Sequence, residues 1–202
     1  MTDLDGRSFL FILGSSRTGG NAETLAREAA LQLPPGVTQR WLRLRDLPLA
    51  PFEDHRHPRG YAYPEPSGSE GLLLRATVQA TDLVIVSPLY WYSVSADTKL
   101  YLDYWSAWLH LPGVAFRSRM AGRTLWAITV TSHEETDKAD PLVGTLRSSA
   151  EFMGMRWGGA LIGHGNRPGD IRADADALTR AKTFFTDCAG MGAECLTGNV
   201  ES

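Results

Sequence analysis

Short, unbroken apolar runs alternate along this chain with longer stretches whose apolar positions recur every three or four residues. The first run, Ser8 to Leu13, does not alternate with polar residues, so it reads as a strand covered on both faces. Behind it Ala22, Leu25, Ala26, Ala29, Ala30 and Leu33 share one helical stripe, with Glu23 and Arg27 paired four apart on the expected solvent side. Pro34-Pro35-Gly36 stops that helix. Gln39 to Leu44 predicts a short second strand, Glu70 to Thr81 a helix, and Asp82 to Ser87 a second strongly buried strand. Val94 to Leu109 follows as a long helix, then Arg123 to Thr131 as a strand and Pro141 to Met153 as a helix. Trp157 to Gly163 is the last strand, and a helix from Ala173 to about Cys188 closes the series.

Strands alternating with helices argue for a parallel sheet covered on both faces by right-handed crossovers. Five strands favour an α/β architecture of the flavodoxin-like kind, a three-layer sandwich whose five-stranded parallel sheet has the order 2-1-3-4-5, with residues 1–202 forming one domain. A ligand of such a sheet sits beyond the carboxyl ends of strands one and three. The polar loops 14–21 and 87–93 both occupy that position.

The first of them, Gly14-Ser15-Ser16-Arg17-Thr18-Gly19-Gly20-Asn21, joins a buried strand to a helix start. Free N–H groups and the positive end of the helix dipole favour an anion there, and Arg17 adds a forked cation. Phosphate is the expected anion; the alternative is an ordinary connecting turn with Asn21 as the helix N-cap. The loop has neither the lysine of a P-loop nor the glycine spacing of a dinucleotide-binding turn.

The second loop, Pro88-Leu89-Tyr90-Trp91-Tyr92-Ser93, holds three consecutive aromatics that cannot all enter the core. Stacking on a flat heteroaromatic ligand would explain them, and so would a subunit interface. The helix behind it carries Tyr101, Tyr104, Trp105 and Trp108 over most of its circumference, more apolar surface than one sheet face requires. A second copy of the chain would cover it, as would deep burial under residues 110–122. The loop after the fourth strand, Thr131-Ser132-His133, lies at the same sheet edge, where His133 could donate to a ligand or simply face water.

Composition narrows the picture from the other side. Twenty Lys and Arg against 23 Asp and Glu give a formal charge of −3, which argues for neither nucleic acid nor a strongly acidic docking face. No apolar run approaches the ~20 residues that span a bilayer. The amino terminus lacks signal-peptide features, and Cys188 and Cys195 read as free thiols, so the expected location is the cytoplasm. His55 and His57 stand too far from other ligand types to argue for a metal. With a phosphate site, an aromatic slot and little acid–base machinery, the chain is suited to a bound cofactor that does the chemistry itself.

These residues resemble a known family. Gly14 to Ala22 is similar to the G-S-x-R-x-x-G-N-T phosphate loop of NAD(P)H-dependent FMN reductases, and Ser87-Pro88-Leu89-Tyr90-Trp91 with Ala96, Lys99 and Asp103 resembles their S-P-x-Y-W…A-x-x-K…D segment. The resemblance implies a flavodoxin-like fold, FMN as cofactor and NADPH or NADH as electron donor. It also implies a small acceptor such as a quinone, free flavin, azo compound or metal ion, and a homodimer or homotetramer. Ser15, Ser16, Arg17, Gly20, Asn21 and Ala22 would hold the phosphate. Pro88, Leu89, Tyr90, Trp91 and Tyr92 would flank the isoalloxazine, with Thr131, Ser132 and His133 near its pyrimidine side. Tyr92 and His133 are the candidates for aiding proton uptake by a quinone. Ala22 departs from the family's threonine and Tyr104 from an arginine, and the proline-rich stretch 46–69 lacks the cysteines of iron–sulfur relatives. Within that stretch, residues 52–66 are expected to lie near the site and shape acceptor choice. The competing readings are a flavodoxin-type carrier without NAD(P)H activity and a scaffold that has lost its cofactor.

Overall fold

Residues 9–13, 82–86 and 124–131 are buried because their strands pair on both sides in the middle of one parallel sheet. The computed structural model describes residue 4 and residues 6–56 and 60–186. Its strands are β1 (Ser8–Leu13), β2 (Thr38–Arg43), β3 (Asp82–Val86), β4 (Thr124–Thr131) and β5 (Arg156–His164), in the order β2-β1-β3-β4-β5 with every pairing parallel. The helices are α1 (Asn21–Ala30), α2 (Gly68–Gln79), α3 (Ala96–Trp108), α4 (Phe116–Met120), α5 (Asp140–Phe152) and α6 (Ala175–Ala181). The flavodoxin-like order expected from the alternation is the observed one. Most element ends fall within one or two residues of the sequence reading; the final helix is shorter, and Cys188, Cys195 and His57 lie outside the described residues.

The period-two geometry of the strands sorts their side chains into two cores. Leu10, Ile12, Leu83, Ile85, Leu125 and Ala127 face α2, α3, α4 and α5. Phe11, Val84, Trp126 and Ile128 face the other way, against Leu25, Ala26 and Ala29 of α1 and Ala177 and Ala181 of α6. Small residues on α1 and α6 let those helices lie close to the sheet, which is why Phe9 and Phe11 can pack edge-on against Phe185, with ring centroids 5.0 and 6.0 Å apart.

The aromatic surplus of α3 is consumed inside the chain. Tyr101, Trp105 and Trp108 are all buried, and Phe116 of α4 packs edge-on against both tryptophans, with centroids 5.7 and 5.4 Å apart. The cover comes from the 110–122 segment, so these rings are not an argument for a second copy of the chain. The stretch 46–69 also follows α3. Tyr104 Oη donates to the Ala50 carbonyl at 3.0 Å, Phe52 packs on Tyr104, and Tyr63 lies stacked between His55 and His110. These contacts hold the described residues Ala50, Phe52, Tyr61 and Tyr63 against Tyr104 of α3 and against His110, which follows it.

At the opposite edge a single buried carboxylate ties the strand starts together. Asp82 is fully buried and accepts from both Nε and Nη2 of Arg7, from Trp126 Nε1 at 2.9 Å and from Thr81 Oγ1 at 2.7 Å. Removing one partner of a buried pair leaves the other desolvated without compensation. Asp82→Ala is expected to lower stability by about 3–5 kcal/mol, read from the urea midpoint at constant slope.

Candidate functional site

The carboxyl ends of β1, β3 and β4 deliver three loops to one edge, and the first residue of each of the first two loops is bonded to the neighbouring strand. Gly14 N donates to Val86 O at 2.8 Å and Ser87 N to Ile128 O at 3.1 Å, continuing the sheet ladder one step past the strands. Ser95 then cross-links two of the loops. Its Oγ donates to Gly14 O at 2.6 Å, its backbone N–H donates to Ser87 Oγ at 2.9 Å, and its side chain caps α3 by accepting from Thr98 N. Position 14 has no room for a side chain: a Cβ there would lie 1.9 Å from Thr98 Oγ1.

Beyond Gly14 the loop turns through Gly19, at φ 66°, and enters α1 with Gly20 at the N-cap. Ser15 is buried, and its hydroxyl accepts from Arg17 N at 3.1 Å. Among the described residues, the N–H groups of Ser16, Thr18, Gly20, Asn21 and Ala22 meet no acceptor, and the Arg17 guanidinium has no partner. Free donors at a helix start with one uncommitted cation are the equipment for an anion. Asn21 is not the N-cap. Its side chain spans instead to the loop after β5, donating to Arg167 O at 2.9 Å and accepting from Gly169 N at 2.8 Å. The Ala22 methyl group belongs to the core face of α1, so this residue offers the loop only its N–H.

Glu23 departs most from expectation. It is buried rather than solvent-facing, and it accepts from Gly19 N at 2.9 Å, Arg27 Nη2 at 2.7 Å and Arg43 Nη2 at 2.8 Å. Burial by itself would raise its pKa. The hydrogen bonds from Arg43, Arg27 and Gly19 outweigh that and hold the carboxyl below its ordinary value. The loop's own carbonyls are also taken up, with Arg43 Nη1 donating to Arg17 O at 3.0 Å and Arg45 Nη1 to Ser16 O.

The loop after β3 is a two-residue hairpin. Tyr90 and Ser93 exchange both backbone hydrogen bonds at 3.0 Å, and the residues between them, Trp91 and Tyr92, have φ of 49° and 64°. Two positive φ values in a row are the mark of a turn that glycine and asparagine ordinarily occupy. Here they hold an indole that is 94% exposed and a half-exposed phenol. Tyr92 lies stacked on His133 with centroids 6.0 Å apart, and His133 N donates to Thr131 Oγ1. Leu89, Trp91, Tyr92, Ser132 and His133 line a cleft of about 260 Å³. Pro88 and Thr131 lie behind it, half-buried and buried, and Tyr90 points outward.

The expected residues are thus gathered as two neighbouring groups at one edge: Ser15 to Ala22 after β1, and Pro88 to Tyr92 with Thr131 to His133 after β3 and β4. Sequence reasoning missed Ser95, Thr98, Arg43 and Arg45. Ser95 had a usable signal, a serine three residues before Thr98 at a helix start; the two arginines had none, because the partners lie 20 to 29 residues away. Among the described residues, no three His, Cys, Asp or Glu side chains are grouped as a metal site would need.

The order of the strands and the position of these loops define a flavodoxin-like fold with its ligand edge beyond β1 and β3. Residues 8–155 match the model of the NADPH-dependent FMN reductase family, and the chain belongs to that family. It is 33% identical over 175 residues to YwqN of Bacillus subtilis (strain 168), which carries the provisional name NAD(P)H-dependent FMN-containing oxidoreductase; the match covers 86% of this chain and 94% of that one. Among solved structures it is similar to the Trp repressor binding protein from Bacillus subtilis, with a TM-score of 0.70 and 27% identity over 87% of this chain and 96% of the other. An FMN-dependent NADH-azoreductase from Bacillus anthracis, solved in complex with FMN, shares the fold at a TM-score of 0.62 and 14% identity, covering 91% and 99% of the two chains. Membership makes this an oxidoreductase that uses FMN and NAD(P)H.

Two expectations follow from the geometry. Replacing Trp91 and Tyr92 by Asn and Gly should stabilise the flavin-free protein by about 1–3 kcal/mol in urea unfolding, by relieving two strained φ values. Glu23 sets a pH dependence: its folded pKa lies below its unfolded one, so its contribution is complete above the ordinary value of 4.5 and is lost as the pH falls through the folded value. Acid unfolding of Glu23→Gln should therefore be shallower than that of the parent below pH 4.5.

Proposed function

We propose that the chain binds FMN across the ends of β1 and β3 and uses it to pass electrons from NADPH or NADH to a small acceptor such as a quinone, a free flavin or an azo compound. The observation that carries this reading is the adjacency of two unlike surfaces, a loop of unpartnered N–H groups beside a strained aromatic hairpin that opens a cleft. A phosphate fits the first and a flat ring system the second. Ser15, Ser16, Arg17, Gly20 and the N–H groups of Asn21 and Ala22 would hold the phosphate. Pro88 to Tyr92 would flank the ring, with Thr131, Ser132 and His133 on its other side.

FMN, when bound, supplies the two-electron chemistry, taking hydride from a reduced nicotinamide and returning electrons to the acceptor. The chain's part is to orient the ring, to offer one open face for donor and acceptor in turn, and to manage protons. The Tyr92 hydroxyl and the His133 imidazole, stacked at the cleft mouth, are our candidates for delivering a proton to a quinone oxygen. No described helix is long and apolar enough to cross a membrane, and we propose a cytoplasmic protein working as one domain. Self-association as a homodimer or homotetramer is part of the proposal. Its support is the half-open apolar groove between α3 and α5, where Phe152 is more than half exposed beside Leu102 and Leu109.

The purified protein should show a flavin visible spectrum or acquire one with FMN, and should oxidise NADPH or NADH in the presence of menadione. A flavin spectrum without nicotinamide oxidation would mark an electron carrier, and no spectrum at all a scaffold. Arg17→Ala should weaken FMN by about tenfold or more, the effect of losing one charge-assisted hydrogen bond to phosphate, with riboflavin affinity nearly unchanged.

A further inference from the structure

We propose that Glu23, Arg43 and Arg45 form a positioning clamp that holds the 15–20 loop in its phosphate-receiving shape, a role that rests on the FMN reading above. The loop needs such a device. Its serines, threonine and paired glycines leave it conformationally free, and its own internal restraint is the short Ser15 Oγ to Arg17 N contact.

The clamp acts through peptide planarity. In a trans peptide the carbonyl and the following N–H point in opposite directions, and no described peptide is cis. Arg43 Nη1 holds the Arg17 carbonyl at 3.0 Å, so the Thr18 N–H of the same peptide is turned away from Arg43 and left free. Arg45 Nη1 holds the Ser16 carbonyl, which turns the Arg17 N–H toward Ser15 Oγ. Glu23 takes the Gly19 N–H at 2.9 Å and pins the far end of the loop to the first turn of α1. Three side chains from β2, the turn behind it and α1 thus set three successive peptide planes.

The same arrangement solves a problem of charge. A carboxylate in the first turn of α1 stands close to where a phosphate dianion would sit, and unpaired it would repel that ligand. Arg43 and Arg27 both donate to it, within 2.8 Å, and Arg43 is itself mostly buried. Arg43 is therefore counter-ion and strap, spending both Nη atoms on the protein, whereas Arg17 keeps its guanidinium for the ligand. This division of labour predicts that Glu23 and Arg43 are energetically coupled.

The test is titration of the purified, flavin-stripped full chain and its variants with FMN and with riboflavin, followed by flavin fluorescence. Glu23→Ala and Arg43→Met should weaken FMN by about tenfold or more while riboflavin, which has no phosphate, changes by less than about twofold. Glu23→Gln keeps an acceptor for Gly19 N–H and removes the negative charge, so alone it should recover most of the loss, whereas combined with Arg43→Met it should recover only the part due to the unpaired carboxylate and leave the part due to the lost Arg17 strap. Arg45→Met, at an exposed position, should weaken FMN by about threefold. Parallel loss of both flavins, or an FMN-to-riboflavin ratio unchanged in Glu23→Ala, would overturn the clamp. If Glu23→Ala does not fold, Arg45→Met decides, and unchanged FMN affinity there overturns it as well. A parent protein that binds neither flavin would instead sink the FMN reading itself.

Discussion

The hydroxyl of Ser95 is the point on which the site depends. It donates to the carbonyl of Gly14, caps α3, and sits beside a backbone N–H that reaches Ser87. Through this one residue the end of β1, the end of β3 and the start of α3 become a single body. The contact is possible only because position 14 has no Cβ. A parallel sheet brings its loops to one edge by topology alone; Ser95 turns that proximity into a fixed relation between the anion loop and the aromatic hairpin.

Electrostatics then decides which groups of that edge face a ligand. Each edge of the sheet has a buried carboxylate, Asp82 among the strand starts and Glu23 among the strand ends, and each is fully engaged by arginine. Such pairs contribute little net stability compared with an apolar core, but they fix geometry, because neither partner can leave without exposing the other to a dry environment. At the strand ends the outcome is a loop with the Ser16 and Arg17 carbonyls turned aside and, among the described residues, the N–H groups of Ser16, Thr18 and Gly20 unspent and one cation unpaired.

Much of this was legible in the chain. The runs Phe9 to Leu13 and Leu83 to Val86 carry no polar alternation, which is the signature of strands covered on both faces, and the stripe from Ala22 to Leu33 needed no tertiary information. The polar loop after β1 and the aromatic loop after β3 were visible because their residue types suit poorly any purely structural role. What stayed hidden depended on partners distant in sequence. Glu23 and Arg27 are spaced as a solvent-side pair, and only Arg43, arriving on β2, converts the carboxylate into a buried hub. α4 is too short to show a period, so the cover over Trp105 and Trp108 was unreadable and their surplus looked like an interface. The backbone of Trp91 and Tyr92 was hidden as well, since neither residue type announces a left-handed turn.

The tie made by Asn21 has a consequence for the order in which this molecule is assembled. Its side chain, at the start of α1, bonds to Arg167 and Gly169, 146 and 148 residues further along. Contacts of such long range close late, after the loops between them have been organised. During synthesis the 15–20 loop therefore emerges well before β5, yet lacks the brace behind it until β5 has been made. The turn after β1 is thus made before the other four strands of the sheet and is finished only after β5.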